Sequence, residues 1–156
     1  MMKIMETNDA ELLAVLNRDV QEIHAEIEPG IFKKYSKEGM QKLFEEALKN
    51  ENTKGFVAYY DGKPVGYALV SKRDIPETYF KYPYSVVYIE QICIDRKYIR
   101  KNAGKELVNH VKSYAESLGV KRIELDFWCK NENAGQFFRS QGFSTFNKRM
   151  CYVKNI

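Results

Sequence analysis

Histidine is scarce in this chain: His24 and His110 are the two in 156 residues. That leaves little room for a histidine-based metal centre, and no metal site is expected. Both histidines fall in helix-like stretches, so no Ser-His-Asp arrangement can be built from them. Cysteine is also sparse. Cys93, Cys129 and Cys151 are odd in number and lack metal-ligand spacing. Such a set excludes a disulfide scaffold and points to a reducing compartment. No long apolar run is present, so neither a secretory leader nor a membrane span is expected, and the reading is cytoplasmic with no membrane partner. A G-x-G-x-x-G turn is absent. Gly104-Lys105 is followed by Glu106 without the leading glycine of a P-loop, which excludes that NTPase class. Repeats, low-complexity tracts and linkers are missing too, so residues 1–156 are expected to form a single domain.

The chain has 25 basic and 21 acidic residues, a net charge of +4. This balance suits an anionic ligand without demanding nucleic acid. The basic residues are not evenly spread. Tyr88 to Ile94 is rich in β-branched and aromatic residues and reads as a buried strand. Arg96, Lys97, Arg100, Lys101 and Lys105 crowd the positions that follow. A helix then opens at Asn102 or Ala103, with Ala103, Leu107, Val111, Tyr114, Ala115 and Leu118 at helical spacing. The first amides of a helix have no intrahelical acceptor and carry partial positive charge. Small residues let an anion approach that backbone. A strand, a basic turn and a helix with Ala103-Gly104 at its start therefore predict a phosphate cradle.

Around this stretch the other elements fall into place. Lys3-Ile4-Met5 reads as a first strand. Leu12 to Ile23 reads as one amphipathic helix, and Ser36 caps a second that carries Met40, Leu43, Phe44, Ala47 and Leu48. Gly55–Tyr60 and Pro64–Ser71 are strands joined by an Asp61-Gly62 hairpin. Arg73 to Ser85 is expected to be an irregular loop. Lys121 to Trp128 reads as a strand, Asn131 caps a short helix ended by Gly142, and Phe143–Phe146 and Arg149–Val153 read as closing strands. The order βααβββαβαββ describes an α+β fold, a mixed sheet with helices packed on it.

These local sequences resemble the GNAT superfamily of acyl-CoA-dependent N-acetyltransferases over essentially the whole chain. The strongest match runs from Asn131 to Phe143 (NENAGQFFRSQGF), against the family pattern N-x-x-A-x-x-F-Y-x-x-x-G-F. One position departs: Phe138 stands where the family carries a tyrosine. Asp61-Gly62-Lys63-Pro64-Val65-Gly66 is similar to the family hairpin. Ile99-Arg100-Lys101-Asn102-Ala103-Gly104 aligns with the pyrophosphate loop [QR]-x-x-G-x-[GA], with Ile99 and Asn102 off-pattern. Asn tolerates the left-handed backbone that a glycine would supply there.

The resemblance implies a mostly antiparallel twisted sheet of about seven strands flanked by about four helices, and acetyl-CoA as acyl donor. It implies that backbone amides from Lys101 to Lys105, with Arg100 in place of the lost polar contact at Ile99, hold the diphosphate. Ile92, Cys93 and Ile94 would pair with the pantetheine arm along a splayed sheet edge. Asn131, Ala134, Phe137 and Phe138 would line the donor side. The acceptor would be the amine of a small molecule or peptide, attacking the thioester directly. Glu90 is the candidate base, on one strand face with Tyr88, Ile92 and Ile94. Apolar neighbours there would raise its pKa. Phe138 cannot donate a proton, so Tyr88 or a tyrosine of the 79–84 stretch is the candidate acid. His24, Phe32, Tyr84, Asp126 and Trp128 are candidates for the acceptor side. Pairing of two chains through the last strands is common among such domains, which makes a homodimer an open expectation. The alternative reading is an acyl-CoA sensor or partner module with little or no turnover. Nucleic-acid binding through Arg96 to Lys105 is the weaker rival, because aromatic interleaving is missing.

Overall fold

A computed structural model describes residues 1–155, which fall into two compact units, Met1–Asp126 and the chain from Phe127 onward. In the first unit, β1 (Met2–Thr7) precedes three helices, α1 (Ala10–Leu16), α2 (Arg18–Ile27) and α3 (Lys37–Leu48). Then come β2 (Thr53–Tyr60), β3 (Lys63–Ile75) and β4 (Tyr84–Ile94). A 3₁₀ turn over Arg96–Lys101 leads into α4 (Ala103–Ser117), and β5 (Ile123–Glu124) closes the unit. The five strands lie in sequence order, antiparallel from β1 to β4 and parallel between β4 and β5.

Local chemistry accounts for several boundaries. Asp9 and Ser36 accept hydrogen bonds from the Leu12 and Gly39 amides and cap α1 and α3. Asp61 and Gly62 both have positive φ, 48° and 81°, which gives the two-residue turn whose twist matches a β-hairpin. Gly66 is needed where β3 passes the end of β4. A Cβ there would lie 2.6 Å from the Cys93 carbonyl oxygen.

The sheet is covered on both faces. On one face α1 and α3 bring Leu13, Ala14, Met40 and Phe44 onto Val57, Tyr67, Leu69 and Cys93. Phe44 meets Tyr67 edge-on at 5.6 Å. On the other face α4 lays Leu107, Val108, Val111 and Ala115 inward, and Phe56 contacts His110 and Tyr114. Phe44 is fully buried, so Phe44→Ala should cost about 3–5 kcal/mol through lost transfer energy and a cavity. Chemical denaturation of the variant and the parent measures this.

Several expectations need correction. The first long helix is two: it breaks at Asn17, which caps α1 at its C-terminal end and begins α2. The β3–β4 hairpin extends further than expected, to Ile75 and from Tyr84, because the two strands keep pairing through Asp74↔Ser85. The strand expected over Lys121–Trp128 shrinks to Ile123–Glu124.

The second unit holds α5 (Glu132–Ser140), capped by Asn131. Phe138 is buried at the centre of a ring cluster with Phe127, Phe137 and Phe143. Gly135 faces Phe127 so closely that a Cβ would lie 2.7 Å from the ring. The closing strands expected at Phe143–Phe146 and Arg149–Val153 do not form, so the described residues hold five strands rather than about seven. Alternating β-prone residues are not sufficient for a strand: it exists only when a neighbouring backbone accepts its hydrogen bonds.

Candidate active site

One irregularity organises the site. Leu69 pairs with Gln91 but Val70 pairs with Ile89, so Glu90 is an extra residue on β4. A bulge of this kind interrupts the two-residue alternation. Tyr88, opposite Ser71, falls on the α1–α3 side of the sheet with Leu69 and Gln91. Ile92, opposite Ala68, falls on the α4 side, as does Ile94. The single-face set of Tyr88, Glu90, Ile92 and Ile94 is therefore divided in two. What the bulge joins instead is Glu90 and Gln91, consecutive residues on the same face.

Glu90 does not sit among apolar neighbours, as alternation alone suggested. Ser71 Oγ donates to its Oε1 at 2.6 Å, and the Arg73 guanidinium reaches the same oxygen at 2.6 Å. Oε2 has no protein partner among the described residues. Arg73 also lies over the Tyr88 ring, 3.9 Å from its centroid. The Tyr88 hydroxyl donates to Asp126 Oδ2 at 2.5 Å. Burial first, and then this carboxylate, push the Tyr88 phenol up to about 12. Strand and strand-end residues thus gather Glu90, Tyr88, Asp126, Arg73 and Ser71 into one polar group.

Beside this group the sheet opens. β5 pairs with β4 only at Val87↔Ile123 and Tyr88↔Glu124. From Ile89 to Ile94, β4 has β3 on one side and no described strand on the other, so the main chain of Ile92, Cys93 and Ile94 borders a free edge. The Cys93 side chain itself is core, and burial pushes its thiol up to about 12.

The edge leads to the basic turn. Asn102 adopts the left-handed conformation, with φ of 64°, and its side chain makes no cap. The first α-helical bond of α4 is Glu106 N to Asn102 O, at 3.0 Å, so the amides of Ala103, Gly104 and Lys105 precede the ladder. Ala103 and Gly104 are buried, and Arg100 and Lys105 are exposed beside them. Lys101 places its ammonium 5.7 Å from the Tyr60 ring centroid. Ile99 is exposed and contributes no polar group. Positive backbone and side-chain charge converge at this turn, where the α4 amides have no intrahelical acceptor.

The remaining candidates are placed as follows. His24 stacks on Phe32 at 4.7 Å, in the segment running from α2 to α3. Tyr84 begins β4, about 20 Å along the strand from Glu90 at ~3.3 Å per residue. In the second unit, the Asn131 side chain accepts from the Ala134 amide at 3.3 Å and serves as a helix cap. Ala134 and Phe137 are half-buried on α5, and Trp128 is partly exposed. Among the described residues no cluster of three or more potential ligands could hold a metal ion. Among the described residues no helix is long and apolar enough to cross a membrane.

Sequence reasoning missed Ser71, Arg73, Gln91, Tyr67 and Asn17. Asn17 Nδ2 donates to the Tyr67 hydroxyl at 2.9 Å, and that hydroxyl donates to Gln91 Oε1 at 2.7 Å. Burial holds the Tyr67 phenol well above its ordinary pKa, so it stays a donor. Two signals were available: Glu90-Gln91 puts two polar residues in a row inside an apolar strand, and Asn17 interrupts an apolar helix stripe.

Both histidines carry a pH signature. Burial lowers the pKa of His24 and of His110 from the ordinary 6.5. Each binds fewer protons folded than unfolded, so stability should be full above 6.5 and fall as pH drops below it. Thermal melts at descending pH should show the loss, and a His24→Gln/His110→Gln variant should flatten it.

The first unit thus holds a helix start with unpaired amides, an open strand edge and a carboxylate on a bulge. Residues 17–143 match the acetyltransferase (GNAT) family, and the chain belongs to that family. An uncharacterized N-acetyltransferase of Methanocaldococcus jannaschii, MJ1207, is 26% identical over 108 residues, 64% of this chain and 43% of that protein. This chain thus spans less than half the length of that relative. Among solved structures, a tetramutant of the BH1408 protein from Bacillus halodurans superposes with a TM-score of 0.90 at 24% identity, covering 97% of this chain and 99% of that one. The AAC(6')-Iy complex with the bisubstrate analogue CoA-S-monomethyl-acetylneamine has a TM-score of 0.70 at 20% identity, covering 100% and 99%. At these identities the likeness of the structures establishes the fold.

Proposed function

We propose that this chain is an acyl-CoA-dependent N-acetyltransferase that moves an acetyl group from acetyl-CoA to the primary amine of a small molecule or peptide. The observation that carries the reading is the free Oε2 of Glu90, on a bulge beside the point where β4 and β5 part. The α4 amides of Ala103, Gly104 and Lys105 take the diphosphate, and the open edge of Ile92 to Ile94 takes the pantetheine arm. The family match at residues 17–143 spans both compact units, which supports one domain over residues 1–156. The solved relative bound to a CoA-derived bisubstrate analogue supports the same donor.

The chemistry follows from these positions. An alkyl amine is largely protonated at neutral pH. Glu90 takes its proton, directly or through a water, and Asp126 adds negative charge that draws the cation. The amine nitrogen attacks the thioester carbonyl carbon, and an amide of the Ile94 region donates to the oxyanion. The adduct's ammonium nitrogen gives its second proton to water, the new C–N bond is kept, the C–S bond breaks, and CoA leaves as a thiolate. With the phenol at about 12, Tyr88 is a poor source for that thiolate's proton. Tyr88 instead positions Asp126, and the thiolate departs unassisted and is protonated by water.

The second reading, an acyl-CoA-binding module without turnover, is favoured by Phe138, which fills a ring cluster and offers no hydroxyl. Thiol release from acetyl-CoA with a panel of amines decides between the two. Amine-dependent release supports transfer; tight CoA binding with no release across the panel supports the module.

A further inference from the structure

We propose that Gln91 selects the acceptor: it favours amines that carry a hydrogen-bond-accepting oxygen three bonds from the nitrogen, as a vicinal amino alcohol does. This rests on the transferase reading and names the substrate class of the same site. The bulge puts Gln91 next to Glu90 on one face, with Cα atoms ~3.8 Å apart. An acceptor whose amine reaches Glu90 Oε2 therefore presents its next polar group to Gln91.

The Gln91 amide is held in one orientation. Its Oε1 accepts from the Tyr67 hydroxyl at 2.7 Å and from Asn17 Nδ2 at 3.4 Å. Its Nε2 has no protein acceptor among the described residues and is not sealed from solvent. Asn17 is 1% exposed and stands where an asparagine would cap α2, yet it makes no cap and turns inward to Tyr67. Turning both amides over would be worse. It would leave two hydrogens of the buried Asn17 Nδ2 without partners, in place of the single unpaired Oδ1. The buried pair thus fixes Gln91 as an outward donor, which an acceptor oxygen satisfies and a methyl or ammonium group does not.

Three matched acceptors test this: 2-aminoethanol, propylamine and 1,2-diaminoethane. The wild-type chain should show kcat/KM for 2-aminoethanol about tenfold or more above the other two. Gln91→Leu should bring the amino alcohol down to the propylamine level. Gln91→Glu, which replaces the donor by a carboxylate, should move the preference to the diamine. Tyr67→Phe should narrow the ratio by releasing the Gln91 amide. A wild-type ratio near one, or a ratio that none of these variants alters, overturns the proposal. Calorimetry of the CoA complex with the same acceptors gives a readout independent of turnover. The same ranking in binding, erased by Gln91→Leu, supports the selector even where no acetyl transfer is found, and then it is the transferase reading that fails. Equal heats for the three acceptors, or no heat with any, overturn the selector.

Discussion

Glu90→Gln should lower kcat for acetyl transfer by about 10²–10⁴-fold, the usual worth of a positioned general base. Acetyl-CoA affinity should hold, because the cradle proposed at Ala103 to Lys105 lies elsewhere in the unit. The amide still accepts the Ser71 hydrogen bond and gives up the ion pair to Arg73. That pair is solvent-exposed, so the stability change should stay within about 1 kcal/mol. The distinguishing measurement is the pH profile. If Glu90 removes the proton, raising the pH should recover activity in the variant as free amine accumulates. A variant with parental kcat at neutral pH would assign the base elsewhere.

The second large effect concerns the donor. Gly104→Asp should weaken acetyl-CoA binding by about 10–100-fold, since a carboxylate would face the two phosphate charges that the proposal gives to the amides of this turn. The substitution is chosen so that the helix does not suffer for its charge. An acidic residue in the first turn is favourable to the helix dipole by about 0.3–1 kcal/mol. Gly104 is buried, so Gly104→Ala measures the effect of bulk alone. Titration of both variants with CoA, beside thermal melts, separates charge from crowding. Parental affinity in Gly104→Asp would place the diphosphate away from this turn.

Much of the fold was legible because its signals are local. Asp61-Gly62 dictates its turn through backbone freedom at two residues, Ser36 caps α3 with its own hydroxyl, and Asn102 tolerates the left-handed turn before α4. The basic turn and the helix behind it were readable for the same reason. The site's finer geometry was not, because it is set between segments far apart in sequence. The bulge at Glu90 depends on how β3 pairs with β4, and Arg73 reaches Glu90 across that ladder. The Asn17–Tyr67–Gln91 chain spans 74 positions. Alternation, applied to β4 alone, assumed a regular strand and so grouped the wrong side chains. The closing strands failed in the other direction: Phe143 to Val153 has the composition of strands, but composition cannot supply a ladder partner.

The placement of the cysteines shapes how such an enzyme can be watched. Cys129 and Cys151 are exposed, while Cys93 lies in the core with its thiol at about 12. A colorimetric disulfide reagent added to count liberated CoA will therefore titrate two protein sulfurs per chain before any turnover, and the third only as the core around β4 opens. Replacing the two accessible ones by serine removes the background. It also turns the remaining sulfur into a clock for unfolding of the sheet, with its rate of modification reporting how often that core is exposed to solvent.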